Sequence, residues 1–280
     1  MSAIGENIKS FAPGDEVYGL TLGGQAAAEY VLISPRFVHS IAHKPAAMSF
    51  ADAASFTTPG HTIVQTLLRA DSEIEGGLKG KTVLVPAGLS GTGSLALQLL
   101  KSVFEVGKLI TTVSTAKVDL VPELLGEGVV DQIIDYKKKN GIKEIGRETV
   151  DFLLDTRMTS MFFLPVMKPK TGVILTLTGK SGDHLAHDWP EASWVVVKIA
   201  NVMDSMYRWR ASRWEVKYDH IFVQPKEADL DTLAGWFKEN KCKAITGEKW
   251  KIENLKDVRR VCGLVYAGHG GVGNYVLEID

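Results

Sequence analysis

Thr82-Val83-Leu84-Val85 reads as a strand and Leu95-Ala96-Leu97-Gln98-Leu99-Leu100-Lys101 as a helix, and Pro86-Ala87-Gly88-Leu89-Ser90-Gly91-Thr92-Gly93-Ser94 joins them. Glycine in such a connection lets the backbone turn sharply and approach a pyrophosphate closely, while the helix N-terminus offers amides and a positive dipole. The spacing here is Gly-x-x-Gly-x-Gly rather than the commoner Gly-x-Gly-x-x-Gly, so the order strand, loop, helix, strand carries the reading more than the letters do. Gly88, Ser90, Gly91, Thr92 and Gly93 are the candidate phosphate-cradling residues. Further strand-like runs recur at Leu109–Val113, Gln132–Asp135, Asp151–Asp155, Gly172–Leu177 and His220–Val223, with helical stretches between them. Six such runs imply crossover connections and a parallel sheet covered on both faces, which is a doubly wound α/β domain.

The end of the second strand reads Ser114-Thr115-Ala116-Lys117. A protein selective for NAD places Asp or Glu there on the adenine ribose. Two hydroxyls and a cation suit a 2'-phosphate instead, so NADP(H) is the expected cofactor. Tyr136, after the third strand, is a candidate phenolic contact.

The chain has 280 residues, and at roughly 150 per domain two units are expected. Its net charge of -1, without a long like-charge block, argues against nucleic acid and against a polybasic membrane patch. Cys242 and Cys262 alone are too few for a disulfide framework or a four-thiolate zinc site. No apolar run approaches the ~20 residues of a membrane span, and the start lacks a secretory pattern, so a soluble cytoplasmic protein is expected.

Outside the central region the opening reads as β-rich. Val17–Leu20 and Ala28–Ile33 are expected strands, separated by a turn at Gly23-Gly24, and Pro35 to Pro45 is irregular strand and loop. Ser49 can cap a helix that Pro59-Gly60 is expected to break before a second helix over Thr62–Arg69. A helix over Asp229–Asn240 and a strand over Tyr275–Ile279, returning to the opening, complete the expectation. Val195, Ile199, Val202, Met203 and Met206 form one apolar helical stripe, which by default is core packing.

Gly14-Asp15-Glu16-Val17-Tyr18-Gly19, Ala28-Glu29-Tyr30-Val31, Lys44-Pro45, Met48 to Ala54, Gly60-His61-Thr62, Ile134-Asp135-Tyr136-Lys137 and Gly268 to Gly273 carry a family resemblance. Together with the loop and Ser114 to Lys117, they resemble the medium-chain dehydrogenase/reductase superfamily. More narrowly, the chain is similar to zinc-independent quinone oxidoreductases and enoyl reductases, especially fungal ones. The resemblance implies a partial GroES-like catalytic domain, residues 1–58 completed by 241–280, and a Rossmann NADP-binding domain over 59–240. It implies NADPH-dependent reduction of an activated carbon-carbon double bond or a quinone, the acceptor being a small enone or quinone. A homodimer or a partner synthase is the expected assembly. Thr62 is implied near the cofactor as the catalytic candidate, although the residues alone leave open that it bonds its own helix. Thr178, Gly179 and Asn274 are implied cofactor contacts, and Tyr18, His61, Met206 and Trp209 substrate contacts.

Departures from the family pattern bear on turnover. Only thirteen residues precede Gly14, so the first strands of the catalytic domain are expected to be missing. Arg157 stands where glycine is usual, and Asn274 where lysine is. A non-redox cofactor-binding partner, or a descendant with a repurposed cleft, is the alternative function. The dispersed cysteines and histidines lack metal-ligand spacing, and Gly88-Leu89-Ser90-Gly91-Thr92 lacks the final glycine of a serine-nucleophile elbow.

Overall fold

The computed structural model describes residues 1–22, 27–34, 38–179, 181–268 and 271–279. The turn at Gly23-Gly24, the residues 35–37 and His269-Gly270 of the glycine-rich end lie outside the described residues. The chain opens with strands β1 (Val17–Leu22) and β2 (Val38–His43) and helix α1 (Phe50–Glu73). It continues through β3 (Thr82–Pro86), α2 (Gly91–Ser102), β4 (Lys108–Val113), α3 (Leu120–Leu125), β5 (Gln132–Asp135), α4 (Gly141–Ile145) and β6 (Phe152–Asp155). Then come α5 (Ser160–Phe163), β7 (Val173–Thr176), α6 (Gly182–Asp188), α7 (Trp194–Ser212) and β8 (Lys217–His220). The last elements are α8 (Glu227–Lys238), β9 (Thr246–Lys251), α9 (Leu255–Tyr266) and β10 (Asn274–Glu278).

Two compact units result: a terminal unit, Met1–Val64 with Gln224–Asp280, and a central unit, Gln65–Val223. The central unit holds six parallel strands in the order β5-β4-β3-β6-β7-β8. Chain order runs outward in both directions from the β3/β6 pair, which places the crevice for a ligand at the carboxyl ends of those strands. Leu84, Ile110, Phe152, Leu153 and Ile174 are fully buried in and around the sheet. Strand β8 lies three residues earlier than the sequence suggests. Its alternation puts Tyr218 and His220 on one buried side, while Lys217 pairs with Glu73 and Asp219 with Arg69. An edge strand tolerates such charge, so the apolar run Ile221-Phe222-Val223 misled the reading.

The terminal unit contains an antiparallel pair, β1 with β2, and a parallel pair, β9 with β10. Strand β10 therefore joins β9 and not the opening strands, and neither β9 nor α9 is expected from the sequence. Ala28–Ile33 forms no strand: Tyr30 is 75% and Leu32 81% exposed, and without burial nothing offsets the ordering entropy.

Ser49 starts α1 as expected, accepting from the Asp52 N–H at 3.1 Å and donating to its carboxylate at 2.7 Å. The predicted break at Pro59-Gly60 does not occur, for α1 runs through it. Proline offers no N–H to the carbonyl four residues back, which here belongs to Ser55. The Asn274 side-chain amide donates to that carbonyl instead, at 2.6 Å. Gly60 serves packing, since a Cβ there would sit 2.2 Å from Leu233 Cδ2 of α8.

Candidate cofactor site

The loop after β3 turns through Ala87, whose φ of 55° lies in the left-handed region that non-glycine residues seldom adopt. Ser90 then caps α2, accepting from the Gly93 N–H at 3.0 Å, while its carbonyl accepts from Ser94 N–H at 2.8 Å. A Cβ at Gly93 would lie 2.5 Å from the Ala87 carbonyl oxygen, and one at Gly88 would lie 2.2 Å from Thr111 Oγ1. Bare backbone is therefore required at both positions. Gly91 and Thr92 form the first turn of α2, where N–H groups have no acceptor inside the helix.

Ser114 and Thr115 begin a short 3-10 turn at the carboxyl end of β4, ending at Lys117. Burial and the neighbouring Arg157 both push the Lys117 ammonium below its ordinary pKa. Two cations brought together in this way favour an anion between them. The Thr115 hydroxyl is engaged by Asp135, an acid the sequence reading did not associate with this turn. Burial pushes the Asp135 carboxyl up, but hydrogen bonds from Thr115 and from the Lys137 N–H outweigh it and hold the pKa low. Tyr136 is 57% exposed beside it.

Thr178 and Gly179, beyond β7, line a cavity of about 170 Å³ at the carboxyl ends of β6 to β8. Gly179 has φ 77°, and Thr178 Oγ1 accepts from the Met158 N–H at 3.0 Å. Asp155, Asp204 and His220 share the cavity wall. Asp155 is fully buried, and its carboxylate caps the following turn by accepting from the backbone of Arg157, Thr159 and Ser160 at 2.9–3.0 Å. His220 Nε2 lies 2.7 Å from Asp204, while its Nδ1 is buried without a hydrogen-bond partner among the described residues. Sequence reasoning missed this Asp–His pair, because nothing local links residues 204 and 220.

Behind the cavity Asp219 joins two arginines, Arg69 of α1 and Arg208 of α7, the latter at 2.7 Å. Burial raises its carboxyl, but the two guanidinium hydrogen bonds prevail and lower it to about 2. A carboxylate depressed on folding contributes stability that is complete above its unfolded pKa near 3.9 and is lost as pH falls through its folded value. Asp219→Asn should therefore cost about 1–2 kcal/mol at pH 7, after allowance for solvent screening, and little near pH 2. Urea melts of both proteins across that range test this, and a pH-independent difference would refute it.

Four of the remaining candidates, Tyr18, His61, Thr62 and Asn274, lie in the terminal unit. Tyr18 is buried and donates to the Leu230 carbonyl at 3.0 Å. Thr62 donates to Thr58 of its own helix at 2.8 Å, and Asn274 serves the Ser55 carbonyl. His61 is 0% exposed, with Nε2 2.7 Å from Ser40 Oγ and Nδ1 3.3 Å from Asp229. That connectivity matches a nucleophile–base–acid triad, but all three residues are buried, which makes it an internal clamp between β2, α1 and α8. Met206 and Trp209 stand on α7 in the central unit, 53% and 64% exposed.

Among the described residues no three His, Cys, Asp or Glu side chains are grouped to hold a metal ion, and no helix is long and apolar enough to cross a membrane.

The quinone oxidoreductase of Coxiella burnetii superposes on 100% of this chain and 76% of its own, with a TM-score of 0.71 and 20% identity. The two share one fold. No protein-family model matches. The 2-methylene-furan-3-one reductase of Solanum lycopersicum is 37% identical over 145 residues, 49% of this chain and 34% of the relative. The chloroplastic NADPH-dependent alkenal/one oxidoreductase of Arabidopsis thaliana is 34% identical over 145 residues, with the same coverage of 49% and 34%. The match thus spans about a third of the curated relatives' length.

Proposed function

We propose that this chain binds NADPH and reduces an activated carbon-carbon double bond or a quinone. The observation that carries the reading is the loop between β3 and α2, where side chains are excluded at Gly88 and Gly93 and α2 begins with free-facing amides. The similarity to an NADPH-dependent alkenal/one oxidoreductase and a 2-methylene-furan-3-one reductase supports the same acceptor class. Bound at this loop, NADPH supplies a hydride. The chain's own residues bind and orient: the first turn of α2 takes the pyrophosphate, and Ser114 with Lys117, supported by Arg157, takes the 2'-phosphate. Thr178 and Gly179 line the nicotinamide end.

Lys117→Glu tests the assignment. It should weaken NADPH binding by about 1–3 kcal/mol, roughly 5- to 150-fold, and leave NADH binding nearly unchanged. Calorimetry with both cofactors reads this directly, and equal losses would refute the 2'-phosphate pocket. NADPH consumption against a panel of enones and quinones then tests the acceptor class.

A further inference from the structure

Helix α7 turns its polar side inward. Asn201 accepts from the Gly182 N–H at 2.7 Å and Asp204 holds His220 and Arg208, whereas Val195, Ile199, Val202 and Met206 are between 43% and 69% exposed. The sequence reading of this stripe as core packing is therefore overturned. What α7 presents inward is one wall of the cavity of about 170 Å³, through Ala200, Met203, Asp204 and Tyr207. His220, at the end of β8, lines the same cavity and is 7% exposed. Burial pushes the Asp204 carboxyl up, but hydrogen bonds from Arg208 and His220 outweigh it and hold its pKa low. An ionised carboxylate on one ring nitrogen fixes an imidazole's orientation and leaves the other nitrogen to exchange a proton. Here that other nitrogen is Nδ1, which has no partner among the described residues, and a buried polar atom in that state costs free energy until something pairs with it. It is bonded to Cε1, which lies 3.7 Å from where a Cβ on Gly179 would stand. His61 also meets a carboxylate, that of Asp229, but Ser40 occupies its second nitrogen.

We propose that His220 is the proton donor of the reduction, with Asp204 as its positioning residue, and that this cavity receives the carbonyl end of the acceptor. The proposal rests on the reductase reading and adds to it the source of the second hydrogen. Hydride addition to the β-carbon of an enone oxidises NADPH to NADP+ and leaves an enolate, with the electron pair of the double bond moved to the carbonyl oxygen. The Nδ1–H of the His220 imidazolium passes its proton to that oxygen. The N–H bond breaks, an O–H bond forms, and the enol rearranges to the saturated ketone. His220 is left neutral, still donating through Nε2 to Asp204, and water returns the proton. For a quinone the same proton completes the hydroquinone. General acid catalysis of this kind needs the donor within hydrogen-bond reach of the oxygen, which an acceptor seated against Thr178 and Gly179 would provide.

4-Nitrophenol probes the site in the full chain without cofactor, since its phenolate oxygen resembles an enolate oxygen and its colour reports its ionisation. The wild type should bind it as the phenolate, and His220→Gln should weaken that binding about tenfold or more, as for loss of a charge-assisted hydrogen bond. Asp204→Asn should shift the bound probe toward the neutral phenol, which loss of a merely structural contact would not do. With an enone as acceptor, His220→Gln should lower kcat about a hundredfold or more while NADPH affinity by calorimetry stays unchanged. Should either variant fail to fold, the wild type alone decides: 4-nitrophenol should inhibit competitively against the enone, and inhibition of any other kind would overturn the proposal. Full kcat in a folded His220→Gln protein would overturn it too, with the reductase reading left intact. A wild type that binds the probe through His220 but reduces no acceptor would instead overturn the reductase reading and the proton step together.

Discussion

Gly93→Val should remove NADPH binding while leaving the parallel sheet folded. The valine Cβ would stand 2.5 Å from the Ala87 carbonyl and 2.9 Å from Ser90 Oγ, so the loop must move away from the N-terminus of α2. Overpacking of this kind costs about 1–3 kcal/mol in stability. Loss of charge-assisted amide contacts to a pyrophosphate should cost a further factor on binding, about 3 kcal/mol or more than a hundredfold. Gly235→Ala is the control: space around it is open and it sits within α8, so a neutral or slightly stabilising change of about 0.5–1 kcal/mol is expected. Calorimetry and urea melts separate the two effects. Full NADPH affinity in a folded Gly93→Val protein would show that the loop does not hold the cofactor.

His61→Ala should be the most destabilising single change in the terminal unit. It leaves the buried Ser40 hydroxyl without its imidazole, takes one partner from the buried Asp229, and opens a cavity where no water now reaches. Buried polar groups stripped of a partner cost about 1–3 kcal/mol each, more when charged, so a total of roughly 3–5 kcal/mol is expected. A double-mutant cycle with Ser40→Ala should show strong coupling, because both changes break one network. A loss below about 1 kcal/mol would mean that the clamp is incidental.

The central sheet was legible because a strand buried on both faces is written as a short unbroken apolar run. Val83-Leu84-Val85 and Leu109 to Val113 could hardly be anything else between turn signals. The loop was legible for the same reason, since its glycines fall at a strand-to-helix junction. The edge strand β8, the continuity of α1 and the outward side of α7 were not. Lys217-Tyr218-Asp219-His220 carries two charged residues in a strand, and of the arginines that neutralise Asp219, Arg208 lies 11 and Arg69 150 residues away. Pro59-Gly60 looks like a break because the donor that repairs it is Asn274, more than two hundred residues away. The apolar stripe of α7 has the periodicity of a core helix, and periodicity fixes which residues share a face without saying which face looks inward.

The repair at Pro59 has a consequence for the order of events during synthesis. The Ser55 carbonyl and the Asn274 amide are 219 residues apart, so at ~5–20 residues per second the donor emerges on the order of 10–40 s after the acceptor. Residues 65–223 are contiguous and appear complete within that interval, free to collapse around their own sheet. The N-terminal half of α1 meanwhile lacks the Asn274 donor to its Ser55 carbonyl and the α8 side chain that packs on Gly60. Vectorial folding thus builds the central unit first and leaves the terminal unit to be sewn shut by β10.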